Sequence, residues 1–430
     1  MNQIKTGQFI AKLRKEHGFL QKDIAERLGV SEKTISKWEC GNGLPEVVYM
    51  EPLCEILGIT VNELLAGEHI PILELIHTLD TTRLELVRQL EFEQLKMRLY
   101  KLYDIEIDTM ETFDNGAGGL TYLVSSGIGK FVVKYPSDNE MNHPELEERV
   151  CRKLLRKGIP ACDFVTNKQG AELSEDETGR RFTVQKYYEG KTYEYHEAPA
   201  FLQEESAAML AKIHIAMKDM EELPTGIGQD FFQYRKPENM GEIYRSTLKN
   251  ANDQGHGLIA EKICSNMRIA ESFPKYIFDI NRFSVGNSHG DYNISQLIWK
   301  DEKIAGVIDW TCACRQPYIW EIVRSYVFMA PECRDGSIDM DGLIAYIKAY
   351  MQYNTLNAYD IENAGKLFYY FLTVCDFYGQ YYASLTKNRN IYLQQANMAS
   401  GLLIWFEKHI DELNARLAKI SRQPYDGGVR

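Results

Sequence analysis

Residues 289–310 read HGDYNISQLIWKDEKIAGVIDW, and this stretch decides the fold of the larger part of the chain. Two apolar runs, residues 297–299 and 304–308, flank a Lys-Asp-Glu-Lys turn, which predicts a β-hairpin. A hairpin brings its two outer ends together. Asp291, just before the first strand, and Asp309, just after the second, are therefore predicted to be neighbours in space.

Two carboxylates held side by side suit the transfer of a phosphoryl group. One orients the hydroxyl of the acceptor and takes its proton, and the other holds Mg²⁺ against the β- and γ-phosphates of the donor. The hairpin therefore predicts a phosphotransferase site that contains Asp291 and Asp309.

The region before this hairpin carries features that suit a bound nucleotide. Residues 120–125, 131–135 and 182–188 have strand-like composition, and the loop DNGAGG at 114–119 allows backbone N–H groups to approach phosphates closely. Lys134 ends the run GKFVVK, and the acidic helix PELEERVCRKLLRKG follows at 144–158. A strand lysine paired with a helix glutamate is how protein kinases hold the α- and β-phosphates.

Taken in order, these motifs resemble the aminoglycoside phosphotransferase and choline kinase-like superfamily over about residues 113–403. Further shared motifs are VQKYYEGKTY, MLAKIHIAM and IWEIVRS. The resemblance implies an α+β, two-lobed, protein-kinase-like fold that transfers the γ-phosphate of ATP or GTP to a small molecule. By position it implies Asp291 as catalytic base, Asp309 as Mg²⁺ ligand and Lys134 as a phosphate contact. Further implied nucleotide-binding residues are Gly116, Gly118, Gly119, Glu148 (as ion-pair partner of Lys134, with Glu145 as the fallback), Gln185, Tyr187 and Tyr188.

One residue departs from the family pattern. Five positions after the HGD aspartate the family has asparagine as second metal ligand, and this chain has Gln296. An extra methylene displaces the amide oxygen, and Mg²⁺ geometry is demanding. Gln296 is predicted as a metal ligand with altered geometry, and Asn293 is the alternative.

The acceptor is predicted from the C-terminal helices, which combine acidic and aromatic residues. This mixture suits a cationic amine or an aminosugar, through ion pairs and cation–π contacts. Glu321, Asp376 and Tyr378 are the candidate substrate residues.

The first 67 residues predict a separate all-α domain of five short helices. Residues 21–28 and 31–39 form two of them around Gly29, and Ile35 and Trp38 give the second an inward face. The stretch LRKEHGFLQKDIAERLGVSEKTISKWECGNGLP resembles the phage-repressor-type helix-turn-helix regulators, apart from Leu20, where the family has a small polar cap. The resemblance implies DNA contacts by Gln21, Glu32, Lys33, Ser36 and Lys37. A protein-interaction module without a DNA target is the alternative.

Residues 70–103 predict a helical connector with an apolar stripe that includes Leu95, Leu99 and Leu102. The stripe either packs on the following domain or pairs with a second copy in a homodimer. The predicted domains are 1–68 (helix-turn-helix), 69–104 (connector), 105–190 (N-terminal lobe) and 191–420 (C-terminal lobe with the substrate helices).

Charge is uneven along the chain. The net charge is −12, but residues 1–45 hold six Lys and two Arg against five acidic residues, a local charge of +3. A small basic module on an acidic body fits nucleic-acid binding by that module alone. The sequence shows no signal peptide and no run of about 18 apolar residues, so we expect a cytoplasmic protein without a membrane contact.

Three functions follow from the sequence. The first is an active small-molecule kinase fused to a DNA-binding regulator domain. The second is a transcriptional regulator whose kinase-like body senses a ligand or nucleotide, with weak or no catalysis. The third is a scaffold that uses the N-terminal module for protein contacts.

Overall fold

The computed structural model describes residues 3–69, 72–113, 120–136, 144–384 and 389–421, without the side chains of 72–84 and 144–145. The chain divides into two compact units, Met1–Leu95 and Lys96–Arg430. This division falls inside the predicted connector rather than at either of its ends. The predicted glycine loop at 114–119 lies outside the described residues.

The first unit contains the short helices that the sequence predicts. They pack around a core that includes Ile10, Ile24, Ile35 and Leu53. Their bounds are α1 Gln3–Glu16, α2 Gln21–Leu28, α3 Glu32–Glu39, α4 Val47–Leu57 and α5 Val61–Ala66. Helix α4 begins after Glu46, so Pro45 lies before the helix.

The turn between α2 and α3 depends on local chemistry. Gly29 ends α2 with a φ of 67°, in the left-handed region that favours glycine. Ser31 caps α3, because its hydroxyl accepts the amide of Thr34 at 3.2 Å. Leu20 provides no side-chain cap for α2, but Asp23 accepts the Leu20 amide at 2.7 Å, so α2 starts at the predicted place.

Helix α6, Ile72–Tyr103, forms the connector. Its last turns belong to the second unit, where Leu99 is fully buried. The amide of Lys168 donates to the Leu102 carbonyl at 2.8 Å, and the hydroxyls of Tyr103 and Ser174 are 2.7 Å apart. The end of α6 therefore packs on the following lobe, which is one of the two arrangements that the sequence left open.

The N-terminal lobe of the second unit is an antiparallel sheet with one helix. Within the described residues the strand order is β1-β2-β3-β5-β4. Its elements are β1 Ile107–Phe113, β2 Leu120–Ser126, β3 Gly129–Tyr135, α7 Pro144–Arg156, β4 Leu173–Glu175 and β5 Arg181–Lys186. Strand β3 pairs with β2 on one side and β5 on the other, which places Lys134 within the sheet.

The C-terminal lobe is mainly helical and holds two small two-stranded sheets, β6 with β9 and β7 with β8. Its core includes Tyr292, Trp310, Ile322 and Leu367. Its helices are α8 Leu202–Met217, α9 Gln229–Tyr234, α10 Met240–Asp253, α11 Gly257–Glu271, α12 Tyr318–Met329, α13 Met340–Met351, α14 Ala358–Thr373, α15 Phe377–Ala383 and α16 Arg389–Ser421. Its strands are β6 Val285–Ser288, β7 Leu297–Lys300, β8 Lys303–Val307 and β9 Cys314–Pro317.

Strands β7 and β8 form the predicted hairpin, with Leu297 opposite Val307. The outer ends of the hairpin therefore meet as predicted. In the part of the chain that the structure describes, no helix combines the length and apolarity needed to cross a bilayer.

Candidate active site

The loop after β6 carries the HGD motif, and backbone geometry fixes its shape. Gly290 has a φ of 85°, and a Cβ at this position would lie 1.8 Å from the Cys312 carbonyl oxygen, so the position accepts only glycine. His289 Nε2 lies 3.0 Å from the Ile308 carbonyl oxygen, and its Nδ1 accepts the Asp291 amide at 3.3 Å. One imidazole thus ties the two aspartate-bearing loops together, as a structural residue.

Asp309 follows β8 in the left-handed region, with a φ of 60° that is strained for a residue other than glycine. Its Oδ1 accepts from Lys134 Nζ at 2.6 Å and from the Thr311 hydroxyl at 2.8 Å. Burial opposes ionisation of this carboxyl, but Lys134 and Thr311 outweigh it and lower its pKa below the usual value. The structure therefore places an ionised carboxylate against the lysine of β3.

Asp291 is held by an arginine that the sequence analysis did not single out. Arg324 on α12 donates from Nη2 to Asp291 Oδ1, and Gln296 Nε2 lies 3.4 Å from Asp291 Oδ2. The guanidinium stacks over the Phe328 ring, 4.6 Å from its centroid. Burial alone would lower the pKa of Arg324, but the negative charge of Asp291 outweighs burial and raises it, so the guanidinium stays protonated.

The oxygen donors of these two loops fit a metal that arrives with a nucleotide. Carboxylate and amide oxygens are the ligands Mg²⁺ prefers, and Mg²⁺ commonly uses one or two carboxylates plus substrate phosphates. Among the described residues, no group of three or more His, Cys, Asp or Glu side chains is placed to hold a metal by itself. The side chain of Asn293 is already hydrogen-bonded within the loop, because its amide nitrogen donates to the Asp291 carbonyl and its amide oxygen accepts from the Ser295 amide. Asp309 and Gln296 remain as candidate ligands.

Helix α7 presents Glu147, not Glu148, to the active site. Glu148 contacts Arg152 and Glu172, and burial together with Glu172 raises its pKa to about 7. The predicted pairing of Glu148 with Lys134 is therefore wrong. Glu147 is buried and accepts the Trp310 amide, next to Asp309, at 3.2 Å. The reason is helical register, since Glu147 shares the buried face of Val150, Cys151 and Leu154.

The predicted nucleotide hinge, residues 185–188, begins within the end of β5. Gln185 is buried, with its amide 3.4 Å from the Thr183 hydroxyl. The Tyr187 amide donates to the Lys130 carbonyl at 3.2 Å, and the Tyr188 hydroxyl donates to the Ala161 carbonyl at 2.6 Å. The Tyr187 contact joins this segment to β3. A role of these residues in binding the base stays a prediction. Gly116, Gly118 and Gly119 lie outside the described residues.

The predicted substrate contacts of Glu321 and Tyr378 are wrong. Glu321 is fully buried and accepts from Ser288, from the Tyr292 amide at 3.2 Å and from the His214 ring at 3.3 Å. It thus holds the two sides of the HGD loop in place. Tyr378 is buried and donates to Asn397 at 2.9 Å.

Asp376, the third predicted substrate residue, is engaged as a helix cap. One carboxylate oxygen accepts the Gly379 amide at 2.9 Å at the start of α15, and the other accepts the Thr247 hydroxyl. Both oxygens therefore already have structural partners, and the predicted role in the acceptor site is not supported.

Two residues that support the candidate active site, Arg324 and Glu147, were not predicted from the sequence. A signal was present for both. Arg324 lies in the quoted motif IWEIVRS one helical turn after Glu321, and Glu147 matches the apolar spacing of α7.

The second helix of the helix-turn-helix presents a polar surface. Glu32, Lys33 and Lys37 are exposed and Ser36 is half-buried, while Ile35 and Trp38 face the core. Gln21, at the start of α2, donates to Glu39 at 2.7 Å. Glu39 in turn binds Arg14 through both carboxylate oxygens, so this polar network fixes α1, α2 and α3 to one another.

Comparisons with known proteins agree with this architecture. A curated relative, the HTH-type transcriptional activator BcrR of Enterococcus faecalis, is 29% identical over 119 residues, which are 27% of this chain and 53% of the relative. The chain thus spans about half the length of the curated relative it matches. The solved amicoumacin kinase hAmiN, in complex with AMP-PNP and Ca²⁺, has a TM-score of 0.50 at 12% identity, over 72% of this chain and 92% of that one.

A microcompartment-associated aminopropanol kinase also has a TM-score of 0.50, at 15% identity over 74% of this chain and 98% of that one. These likenesses confirm the predicted two-lobed fold. The sequence model of the phosphotransferase enzyme family matches residues 109–359, and that of a helix-turn-helix domain matches residues 7–70. The chain therefore belongs to the phosphotransferase enzyme family and carries a helix-turn-helix domain of the phage-repressor type at its N-terminus.

Proposed function

We propose that the C-terminal unit is a kinase that transfers the γ-phosphate of ATP or GTP to a hydroxyl of a small molecule. The main observation in support of this proposal is that the Asp291 loop, the Asp309 loop and strand β3 are in contact with one another. His289 ties the Asp291 loop to the Asp309 loop, and Lys134 of β3 reaches Asp309 at 2.6 Å.

Each residue has a role in this proposal. Asp291 receives the proton of the acceptor hydroxyl, and Arg324 holds that carboxylate in place through a hydrogen bond. Lys134 contacts the phosphates of the nucleotide, and Asp309 and Gln296 would hold Mg²⁺. When bound, Mg²⁺ neutralises charge on the phosphates. Glu147 supports the Asp309 loop through the Trp310 amide.

We further propose that residues 1–68 bind DNA through α3, so that the kinase belongs to a transcriptional regulator. The exposed Lys33 and Lys37 beside the apolar Ile35 and Trp38 support this role. The similarity to a transcriptional activator supports it further.

A second function is supported by Gln296. Its amide nitrogen faces Asp291 Oδ2 at 3.4 Å, and its longer side chain replaces the asparagine that the family resemblance implies. In this second proposal the kinase-like unit binds nucleotide and ligand mainly as a sensor, with weak or no catalysis.

The test measures Mg²⁺-dependent ADP and GDP formation by the full chain over a panel of amines, sugars and alcohols. The expected result is turnover with at least one acceptor that Asp291→Ala abolishes. Nucleotide binding without turnover of any acceptor would favour the sensor instead.

A further inference from the structure

Helix α6 connects the helix-turn-helix domain to the sheet of the N-terminal lobe. It runs without interruption from Ile72 to Tyr103, and the division between the two compact units falls within it, after Leu95. An α-helix is hydrogen-bonded along its whole backbone, so it behaves as a rigid element that can carry a displacement from one end to the other. The contacts at its C-terminal end therefore determine which changes α6 can carry.

Arg98, near the C-terminal end of α6, is held by several groups of the N-terminal lobe. Its Nη1 donates to the Tyr135 hydroxyl at 2.6 Å, and its Nη2 donates to Glu177 at 2.6 Å. Asp176 lies 3.8 Å from the same guanidinium, and the Phe182 ring centroid lies 5.9 Å from its central carbon. Only 11% of the Arg98 side chain is exposed. Because separation would leave shielded charges unpaired, this contact holds α6 firmly to the sheet.

Tyr135 is the last residue of β3 and directly follows Lys134, the proposed phosphate contact. Successive side chains of a strand point to opposite faces of the sheet. One face of this strand end therefore meets Asp309 through Lys134, and the other face meets α6 through Tyr135. The Tyr135 ring also stacks on Phe182 of β5, with the centroids 5.1 Å apart. A displacement of β3 at Lys134 thus reaches Arg98 through the neighbouring residue.

Nucleotide binding would change the surroundings of Lys134. In the structure its ammonium group lies 2.6 Å from Asp309 Oδ1. A phosphate bound by Lys134 competes with Asp309 for the same ammonium group, so the end of β3 has one arrangement in the free chain and another in the nucleotide complex. A ligand shifts an equilibrium elsewhere in a protein through such a difference between two states.

A second anchor of α6 does not involve β3. The hydroxyls of Tyr103 and Ser174 are 2.7 Å apart, and Ser174 lies on β4. The Lys168 amide donates to the Leu102 carbonyl at 2.8 Å. These contacts fasten the same end of the helix without touching the strand that carries Lys134. Tyr103 therefore provides a matched control for Tyr135.

We propose that a nucleotide bound at Lys134 regulates DNA binding by residues 1–68, with the hydrogen bond between Tyr135 and Arg98 as the coupling contact. Helix α6 carries the change from the sheet to the helix-turn-helix domain. Because binding linkage is reciprocal, DNA changes the affinity for nucleotide by the same factor. This inference rests on the proposed binding of nucleotide and of DNA, and it does not require transfer of a phosphoryl group.

The experiment measures binding of the full chain to duplex DNA from the promoter of its own gene. Fluorescence anisotropy gives the dissociation constant with Mg²⁺ alone and with Mg²⁺ plus AMP-PNP. Tyr135→Phe removes the hydroxyl that Arg98 binds and keeps the ring on Phe182. Tyr103→Phe removes a hydroxyl at the same end of α6 and is the matched control. Arg98→Met is the second variant if Tyr135→Phe does not fold, and calorimetry gives the AMP-PNP affinity of every variant.

We expect AMP-PNP to change the DNA dissociation constant by about 5-fold or more, as is typical of allosteric coupling. Tyr135→Phe should remove most of this change while its AMP-PNP affinity stays that of the unmodified chain. Tyr103→Phe should keep the change. A DNA affinity that does not respond to bound AMP-PNP, or equal responses of the two variants, would overturn the inference.

Hydrogen exchange of the α6 amides, measured on the same samples, separates this inference from the proposed function. If AMP-PNP shifts DNA affinity and slows exchange at residues 96–103, and Tyr135→Phe loses both effects, the inference stands even when no acceptor yields ADP. If an acceptor yields ADP while DNA affinity and exchange stay unchanged, the kinase stands and the inference is overturned. A chain that binds no AMP-PNP, or no DNA in any condition, would overturn the inference together with the corresponding proposed role.

Discussion

Lys134 and Asp309 are 175 positions apart in sequence, yet Lys134 Nζ lies 2.6 Å from Asp309 Oδ1. The pair joins β3 of the N-terminal lobe to the loop after β8 in the C-terminal lobe. A nucleotide whose phosphates meet both groups would bind at this contact between the lobes.

Replacing Lys134 by Met should weaken binding of AMP-PNP by about 10- to 100-fold, because hydrogen bonds to charged groups contribute roughly 1.5–3 kcal/mol. The measurement is a fluorescence or calorimetric titration in the presence of Mg²⁺. Lys303→Met, on the exposed side of β8, removes the same charge and is the matched control. Equal affinities of the two variants for AMP-PNP would show that Lys134 does not bind the nucleotide.

Restoring the family's residue at position 296 tests the metal assignment. Gln296→Asn shortens the side chain by one methylene, and Mg²⁺ geometry is demanding. We expect the Mg²⁺ concentration for half-maximal ADP formation to fall several-fold. An unchanged Mg²⁺ dependence would show that the amide at position 296 is not a metal ligand.

The carboxyl of Glu148 should make stability depend on pH. Its pKa in the folded protein is about 7, raised mainly by burial and then by Glu172, above the usual value near 4.5. The folded state therefore keeps a proton that the unfolded state loses, and stability should fall as pH rises from about 4.5 to 7. Glu148→Gln mimics the protonated form, so its urea-melt stability should fall less over this window. Parallel profiles for the two proteins would contradict this assignment.

The exposed lysines of α3 test DNA binding. Lys33→Ala with Lys37→Ala should weaken binding to duplex DNA and reduce the dependence of affinity on salt, since each lost phosphate contact lowers the slope by about one. The assay is fluorescence anisotropy with DNA from the promoter of its own gene, at several salt concentrations. Lys249→Ala with Lys275→Ala, on exposed sites of the second unit, removes the same charge and should leave binding intact. Full retention of DNA by the α3 variant would favour a protein-interaction module.

The sequence predicted those features that local patterns determine. The hairpin brought together the loops that carry Asp291 and Asp309, and the caps and apolar spacing located α1 to α5. Predictions that depend on the direction in which a side chain points were less accurate. Glu148 was predicted as the partner of Lys134, with Glu145 as the fallback, whereas the buried glutamate of α7 is Glu147. One residue along a helix is a rotation of about 100°.

The predicted acceptor residues also show that the direction of a side chain could not be predicted from the sequence. Glu321 and Tyr378 have the chemistry of a substrate site but are buried in the interior, where Glu321 holds the catalytic loop. The motif IWEIVRS contains Arg324, but its contact with Asp291 depends on how α12 packs against that loop. Residue type indicates what a side chain can bind, and packing decides what it reaches.

In the proposed reaction Asp291 accepts the proton of the acceptor hydroxyl. The most direct measurement is kcat and the AMP-PNP dissociation constant of Asp291→Asn beside the unmodified chain, with the acceptor that the panel identifies. We expect a fall in kcat of about 10²- to 10⁴-fold with little change in nucleotide affinity. A variant that retains kcat would contradict it.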